Sequence, residues 1–168
     1  SCTRGMCYGA VLQQLTLHKL EHRQLCDTCD NVEENTQEQC ILRVEPHVDI
    51  QTSILTRLQE SPIGRKCDAK NCSGKGARQQ TLLHDLPPIL IVHVNKPGVA
   101  PGLSAECDVR LSGTDLHRFA AVHHKGKKTT SGHYTATVEA QGSVFRCNDA
   151  SVIEHPHPLT DAWCNAFL

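Results

Sequence analysis

An alternating segment near the C-terminal end of the sequence predicts a β-hairpin, and this feature limits the fold of the chain most strongly. Residues Tyr134–Glu139 alternate in the manner of a strand with one buried face. Gln141-Gly142 is typical of a tight turn, and Val144–Cys147 has the composition of a second strand. The sequence therefore predicts an antiparallel strand pair between residues 131 and 149.

The ends of this hairpin carry side chains suited to acid–base chemistry. Folding the strands together brings Asn148 and Asp149 within a residue or two of the position opposite His133, where a side-chain hydrogen bond is possible. An imidazole oriented by an amide or a carboxylate is the base that a cysteine nucleophile requires, because the partner fixes the ring and its tautomer. These three residues are therefore candidate catalytic residues.

Composition favours a single domain and disfavours charge-driven partners. The chain has 168 residues, 39% of them apolar, so one core and one domain over residues 1–168 are expected. The net charge of -1 gives no basic surface for nucleic acid or for a membrane. No apolar run is long enough to span a membrane, and the opening residues lack the apolar stretch of a secretory signal. If Ser1 is the natural start, an intracellular protein is expected.

Two pairs of cysteines predict a metal site. Ten cysteines are many for an intracellular protein, in which disulfides are rare, so metal binding is the first alternative. Cys26 and Cys29 have the two-residue spacing of a zinc knuckle, and Cys67 with Cys72, which have four residues between them, would complete a four-thiolate site. One structural zinc ion is expected, and free, partly buried thiols are the alternative. The cysteines in or beside apolar runs are expected to be small core residues: Cys40, Cys107, Cys147 and Cys164.

The first half of the chain predicts two short helices and a hairpin. Partial helical spacing of apolar residues favours a helix close to the N-terminus. A strand over Leu15–Leu25 leads to the first cysteine pair, and Cys40–Val44 is predicted as its returning strand after the polar stretch 30–39. Residues 49–59 have the spacing of an amphipathic helix, whose apolar face is predicted to contain Ile50, Ile54, Leu55 and Leu58.

The second half predicts a buried strand. Leu86–Val94 is almost uniformly apolar and rich in Ile and Val, which is typical of a core strand buried on both faces. It follows a polar loop at residues 64–81 and precedes a Pro/Gly-containing excursion at residues 95–113. Strand character resumes over Asp115–Val122, before the hairpin.

The order of these motifs resembles that of the ubiquitin-specific proteases over most of the chain. The cysteine pairs resemble the two zinc pairs of that family's fingers, and residues 86–96 (LPPILIVHVNK) resemble its Leu-Pro core strand. Residues 121–126 (AVHHKG) resemble the Ala-Val-x-His-x-Gly strand that precedes the catalytic histidine. Ser131–Tyr134 with Asn148-Asp149 match the histidine box, the most specific motif of the set, and residues 162–167 resemble the last strand.

The resemblance implies an α+β fold of the papain-like cysteine peptidase type. Its parts would be a palm sheet, a zinc-bearing β-finger subdomain and a reduced helical thumb. Residues 1–14 would be the reduced thumb or a degraded cysteine box, residues 15–85 the fingers, and residues 86–168 the palm with the histidine box.

The resemblance also implies a chemistry. His133 would be the general base, Asn148 its orienting partner and Asp149 a neighbouring polar support. The substrate would be ubiquitin, or a ubiquitin-like modifier, joined through its C-terminal glycine to a lysine.

The family's cysteine box is matched only in part. Cys7-Tyr8 keeps the Cys-Tyr pair, and a Leu-Gln follows at Leu12-Gln13, one residue early; Cys2 and Gly5 replace asparagines, one of which supports the oxyanion. Cys7 is therefore the candidate nucleophile. In a second alignment the residues before the first zinc pair are the tail of a deleted thumb, and Cys7 is an ordinary cysteine.

Three functions follow from these motifs. The first is a deubiquitinase, a thiol isopeptidase that uses Cys7 and His133. The second is a catalytically inactive ubiquitin-binding or scaffold domain that keeps palm and fingers. The third is a structural zinc domain unrelated to ubiquitin.

Overall fold

A computed structural model describes residues 8–95, 108–128 and 131–155 as a mixture of short helices and antiparallel strands. The elements follow one another as α1 (Tyr8–Thr16), β1 (His18–Cys26), β2 (Val32–Gln39), β3 (Ile41–Val44), α2 (Ile50–Leu58), β4 (Ser61–Ile63), β5 (Ala77–His84), β6 (Ile91–Val94), β7 (Asp108–Leu111), β8 (Thr114–His117), β9 (Ala120–Lys128), β10 (Ser131–Ala140), β11 (Ser143–Asn148) and β12 (Ser151–His155). No helix in this part of the chain combines the length and the apolar character needed to cross a membrane.

Both predicted helices are present. α2 begins after Asp49, whose carboxylate accepts a hydrogen bond from the Thr52 N–H at 2.5 Å and so caps the helix. The helix buries Ile54, which is 1% exposed, whereas Leu55 from the predicted apolar face is 49% exposed. The periodicity therefore located α2 correctly but overestimated the width of its buried face.

The chain divides into two compact units. The first contains residues 1–42 and 56–92, and the second contains residues 43–55 and 93–168. The division passes within β3, α2 and β6. The assignment of thumb, fingers and palm within one domain stays a prediction.

The first unit is built on a four-stranded antiparallel sheet in the order β2-β1-β5-β4. The strand that returns against β1 is β2, in the polar stretch, and not Cys40–Val44 as the sequence predicted. β2 is an edge strand, so its polar side chains are exposed to solvent. Glu34 and Glu38 form ion pairs with basic residues of β1. The prediction was wrong because it took an apolar run as the mark of a strand.

The apolar run at residues 86–94 also differs from its prediction. Only Ile91–Val94 is a strand, and it pairs with β3 in a two-stranded sheet. Pro87 and Pro88 have no N–H to donate, which is consistent with a strand that starts later. Val94 is 3% exposed but His93 is exposed, so β6 is not buried on both faces.

The second unit contains the hairpin from which the sequence prediction started. β12, β11, β10 and β9 form an antiparallel sheet in that order, and β7 pairs with β8. The two-residue turn at Gln141-Gly142 has positive φ at both positions, as a tight hairpin turn requires. The predicted hairpin is therefore present, with strands that extend to Ser131 and Asn148.

Candidate functional site: a histidine–asparagine pair and a four-cysteine cluster

The β10–β11 hairpin brings His133 and Asn148 together. Its register pairs Ala136 with Cys147, so the alternation of side chains places His133 and Asn148 on the same face of the sheet. His133 Nε2 lies 2.5 Å from Asn148 Oδ1. Both side chains are exposed, so the ring is open to a substrate. The sequence predicted this proximity, while the catalytic roles of the two residues stay predictions.

The hydrogen bond determines which ring nitrogen is available. An amide oxygen accepts hydrogen bonds, so the Nε2 that faces Asn148 Oδ1 must carry the proton and donate it. In the neutral ring Nδ1 then has a free lone pair. The pair therefore presents a base at Nδ1, which is the nitrogen that remains for a thiol proton.

Asp149 lies in the two-residue turn between β11 and β12, with φ of 50°, a conformation that Asp tolerates better than most residues. Its side chain is exposed, and among the described residues it makes no hydrogen bond. Asp149 is therefore part of the β11–β12 turn. Its role as a polar support of His133 stays a prediction.

Strand β9 fixes where β10 begins. The register between them shifts between Ser131 and His133, next to Gly126. A Cβ on Gly126 would lie 2.5 Å from the Ser131 carbonyl oxygen and 2.9 Å from Gly132 Cα. These are backbone atoms that cannot turn aside, so Gly126 permits the close approach that places His133. The sequence motif contained this glycine but did not reveal its role.

We expect Asn148→Ala to release the His133 ring from its single tautomer. Without the amide oxygen nothing selects Nε2–H, so a mixture of the two neutral tautomers should appear. Long-range proton–nitrogen NMR of the His133 ring at high pH measures this directly. Asp149→Asn is the matched control, because Asn also tolerates the positive φ, and it should leave the His133 signals unchanged. An Asn148→Ala spectrum identical to that of the unmodified protein would contradict the assigned hydrogen bond.

The predicted nucleophile, Cys7, lies outside the described residues, which begin at Tyr8 with α1. Its role stays a prediction.

The four predicted metal ligands meet at one end of the first unit's sheet. Cys26 ends β1 opposite Ala77, the first residue of β5, and Cys29 lies three residues further on. Cys67 and Cys72 belong to the segment between β4 and β5. The Sγ atoms of all four cysteines lie within 4.8 Å of one another.

The sulfur positions fit a tetrahedral zinc site. Thiolates bound about 2.3 Å from one zinc ion lie about 3.8 Å from each other. The Sγ atoms of Cys26 and Cys72 are 3.8 Å apart, and those of Cys29 and Cys67 are 3.6 Å apart. The cluster can therefore hold one ion with four equivalent ligands, the arrangement of structural zinc sites.

The four residues between Cys67 and Cys72 form a turn that keeps the two cysteines close together. The Cys72 N–H donates to the Ala69 carbonyl at 3.2 Å, and Asn71 adopts a φ of 68°. The turn reverses the chain between the two cysteines and directs Cys72 back toward Cys67. The unusual spacing in the sequence therefore does not prevent a compact site.

Backbone N–H groups point at the sulfurs. Cys26, Cys67 and Cys72 each accept a hydrogen bond at 3.4 Å from the residue two positions later, which is Thr28, Ala69 and Gly74 in turn. The N–H groups of Thr28 and Cys29 lower the pKa of Cys26 to about 7. The Ala69 N–H lowers the pKa of Cys67, but burial and the neighbouring thiols outweigh it and raise that pKa to about 12. A bound cation would favour the thiolate at all four positions.

Two arginines hold the loops that carry the cysteines. Arg78 binds Asp27, between the first two cysteines, at 3.2 Å, and Arg65 binds Glu33 at 2.9 Å and Asp68 at 3.2 Å. All five side chains are partly exposed, so each ion pair contributes little stability by itself. The sequence did not reveal the Arg78–Asp27 and Arg65–Glu33 pairs, because the members of each pair are distant in the chain.

We expect Gly74→Ala to weaken metal binding. A Cβ at Gly74 would lie 2.6 Å from Thr28 Oγ1 and 3.1 Å from Cys26 Sγ, and Cys26 cannot move aside without leaving the metal. Changes next to metal ligands typically reduce affinity about 10–100-fold. A competition titration against a chromogenic zinc chelator measures the loss.

Gly64→Ala is the control for this substitution, because nothing lies within 4 Å of its added Cβ. If both variants bind zinc with the same affinity, the close approach of Gly74 to the cluster is unimportant for the site.

The fold is similar to chains in solved structures of the SAGA DUB module. A chain of the Ubp8, Sgf11, Sus1 and Sgf73 module bound to monoubiquitin gives a TM-score of 0.71 at 16% identity, covering 94% of this chain and 40% of that chain. A chain of the yeast module with a mutant Sgf73 gives 0.73 at 15% identity, with the same two coverages. A chain of the module bound to ubiquitin aldehyde gives a TM-score of 0.70 at 15% identity, covering 99% of this chain and 42% of that chain.

No protein-family model matches the chain, and no curated protein matches its sequence. The chain spans 40–42% of the length of these structural neighbours. At this level of identity the likeness establishes the fold alone: the chain has a ubiquitin-protease-related fold of mixed helices and strands.

Proposed function

We propose that this chain is a deubiquitinase domain, a thiol isopeptidase that hydrolyses the bond between the C-terminal glycine of ubiquitin, or of a ubiquitin-like modifier, and a lysine. The observation that carries the proposal is the hydrogen bond from His133 Nε2 to Asn148 Oδ1. It leaves Nδ1 as the free base of an exposed imidazole, as a cysteine nucleophile requires. The likeness to chains of the SAGA DUB module supports the choice of ubiquitin as substrate.

The proposed reaction assigns one role to each residue. His133 Nδ1 takes the Cys7 thiol proton, and the thiolate attacks the isopeptide carbonyl carbon. The carbon–nitrogen bond breaks as the protonated ring gives its proton to the leaving lysine amine. The ring then takes a proton from water, the hydroxide attacks the thioester carbonyl carbon, the carbon–sulfur bond breaks, and the ring returns its proton to the Cys7 sulfur. Asn148 keeps the ring in the productive orientation throughout.

A catalytically inactive ubiquitin-binding or scaffold domain is the second candidate. One observation favours it: the cysteine box lacks the family's asparagines. In either case we propose one structural zinc ion held by Cys26, Cys29, Cys67 and Cys72. We also propose an intracellular location, in the cytoplasm or the nucleus.

A ubiquitin carrying a C-terminal electrophile tests the proposal. We expect a covalent adduct with the full chain, mapped by peptide mass spectrometry to Cys7. Cys7→Ser should abolish the adduct, whereas Cys40→Ser, which removes a half-buried thiol outside the cluster, should not.

The outcomes separate the candidates. Binding of ubiquitin without an adduct would overturn the isopeptidase and support the inactive domain. Neither binding nor an adduct, in a protein shown to be folded, would exclude both ubiquitin-based functions.

A further inference from the structure

We propose that the four-cysteine cluster is a peroxide-responsive switch, in which oxidation joins the two cysteine loops by disulfides in place of the metal. The proposal goes beyond the deubiquitinase function and does not depend on it. It rests on the cluster's own geometry: two close sulfur–sulfur contacts that join the cysteine loops, and one thiol that reaches solvent.

Two close sulfur–sulfur contacts run between the two cysteine loops. Cys29 and Cys67 are 3.6 Å apart and Cys26 and Cys72 are 3.8 Å apart, and each pair joins the first loop to the second. Oxidation along these contacts would therefore connect β1 covalently to the segment that leads into β5. A disulfide within one loop would leave the two loops unconnected.

The four thiols differ in access to solvent. Cys26 and Cys67 are buried, with 3% and 9% exposure, and Cys72 is intermediate. Cys29 is exposed and lies 3.6 Å from the buried Cys67. The Asn31 N–H lowers the pKa of Cys29, but Cys72 and burial outweigh it and raise that pKa, and a bound cation would keep the sulfur as a thiolate. An exposed thiolate beside a second thiol is the arrangement that is susceptible to reversible oxidation. A small peroxide should therefore react first at Cys29.

The proposed step balances with hydrogen peroxide as oxidant. The Cys29 thiolate attacks one peroxide oxygen, the oxygen–oxygen bond breaks, and Cys29 becomes a sulfenic acid as hydroxide leaves and is protonated to water. The Cys67 thiolate then attacks the Cys29 sulfur, the sulfur–sulfur bond forms, and the second oxygen leaves as water after protonation. Two thiolates, one peroxide and two protons thus give one disulfide and two waters. A second peroxide converts Cys26 and Cys72 in the same way.

This switch should release the metal while the fold persists. A disulfide sulfur is no longer a thiolate ligand, so the site cannot hold its ion after oxidation. The two bridges link the same loops that the metal linked, so the end of the sheet stays closed. Removing the metal by chelation from the reduced protein breaks that link and leaves nothing in its place.

The test uses the full chain, reduced and loaded with zinc, titrated with hydrogen peroxide. We expect zinc release, followed with a chromogenic chelator, to accompany a Cys29–Cys67 disulfide and then a Cys26–Cys72 disulfide in non-reducing peptide maps. Circular dichroism should show the oxidised protein still folded, whereas the reduced, chelated protein should lose structure. Treatment with dithiothreitol and zinc should restore the starting state.

Two variants make the test specific. Cys147→Ser removes a free thiol outside the cluster and should leave the release unchanged. Cys67→His keeps a zinc ligand but removes the thiol partner of Cys29, so we expect the same peroxide dose to release several-fold less zinc. Zinc retained after peroxide treatment, a Cys26–Cys29 disulfide, or irreversible sulfinic acid as the main product would each overturn the proposal.

Discussion

Replacing His133 by alanine should lower the rate of adduct formation with the ubiquitin electrophile by about 10²–10⁴-fold, the usual contribution of a positioned general base. The proposed nucleophile is a poor one without a base to take its proton. The ring has one nitrogen engaged by Asn148 and presents the other as that base, so removing the ring removes the activation entirely. The measurement is the adduct rate at saturating probe, which separates loss of chemistry from loss of binding.

The control for this variant is His117→Ala. His117 is another exposed histidine of the second unit, and its Nδ1 lies 3.0 Å from Asp108 Oδ1. Its replacement removes one exposed side-chain hydrogen bond, as the replacement of His133 does, but leaves the proposed base in place. Both variants should unfold at nearly the same temperature as the unmodified chain, because both side chains are exposed. An unchanged adduct rate in His133→Ala would show that the pair on β10 and β11 does not activate the nucleophile.

Replacing Cys26 by serine should abolish tight zinc binding and lower the unfolding temperature by more than about 10 °C, because structural zinc sites supply folding free energy directly. The buried apolar side chains in the described part of the first unit are few: Leu20, Cys26, Leu42, Cys67, Ala77 and Pro87. Two of these six belong to the cluster, so the unit has little core to replace the metal.

Cys40→Ser is the matched control, since Cys40 is a half-buried free cysteine of the same unit that lies outside the cluster. It should retain both zinc stoichiometry and unfolding temperature. Thermal unfolding followed by circular dichroism, with and without chelator, compares the two variants. If the unmodified chain contains no zinc and chelator leaves its unfolding temperature unchanged, the metal has no structural role.

The sequence predicted local features well where their cause is local. The hairpin around Gln141-Gly142 follows from alternation on both sides of a turn, and the proximity of His133 to Asn148 follows from that hairpin. The α2 helix follows from apolar spacing and its Asp49 cap. In each case the residues that interact lie within about 15 positions of one another, so their pattern contains the interaction.

The errors arose where the composition of a segment did not match its structure. β2 is a strand because β1 supplies hydrogen bonds and basic side chains, although its own residues are polar. Most of the apolar run before Ile91 is not a strand. Strand formation depends on a partner at least as much as on composition, and composition alone does not identify the partner.

The candidate residues can be identified from the sequence, because the histidine–asparagine pair lies in one hairpin and the cysteine pairs have short spacings. Their arrangement comes from the folded chain. It brought the loops of Cys26–Cys29 and Cys67–Cys72 to one end of a sheet, with sulfurs 3.6 and 3.8 Å apart, by pairing β1 with β5. It also selected Nδ1 of His133 as the free nitrogen by placing Asn148 Oδ1 against Nε2. Such distances depend on register and side-chain orientation, which are properties of the folded chain and not of residue spacing.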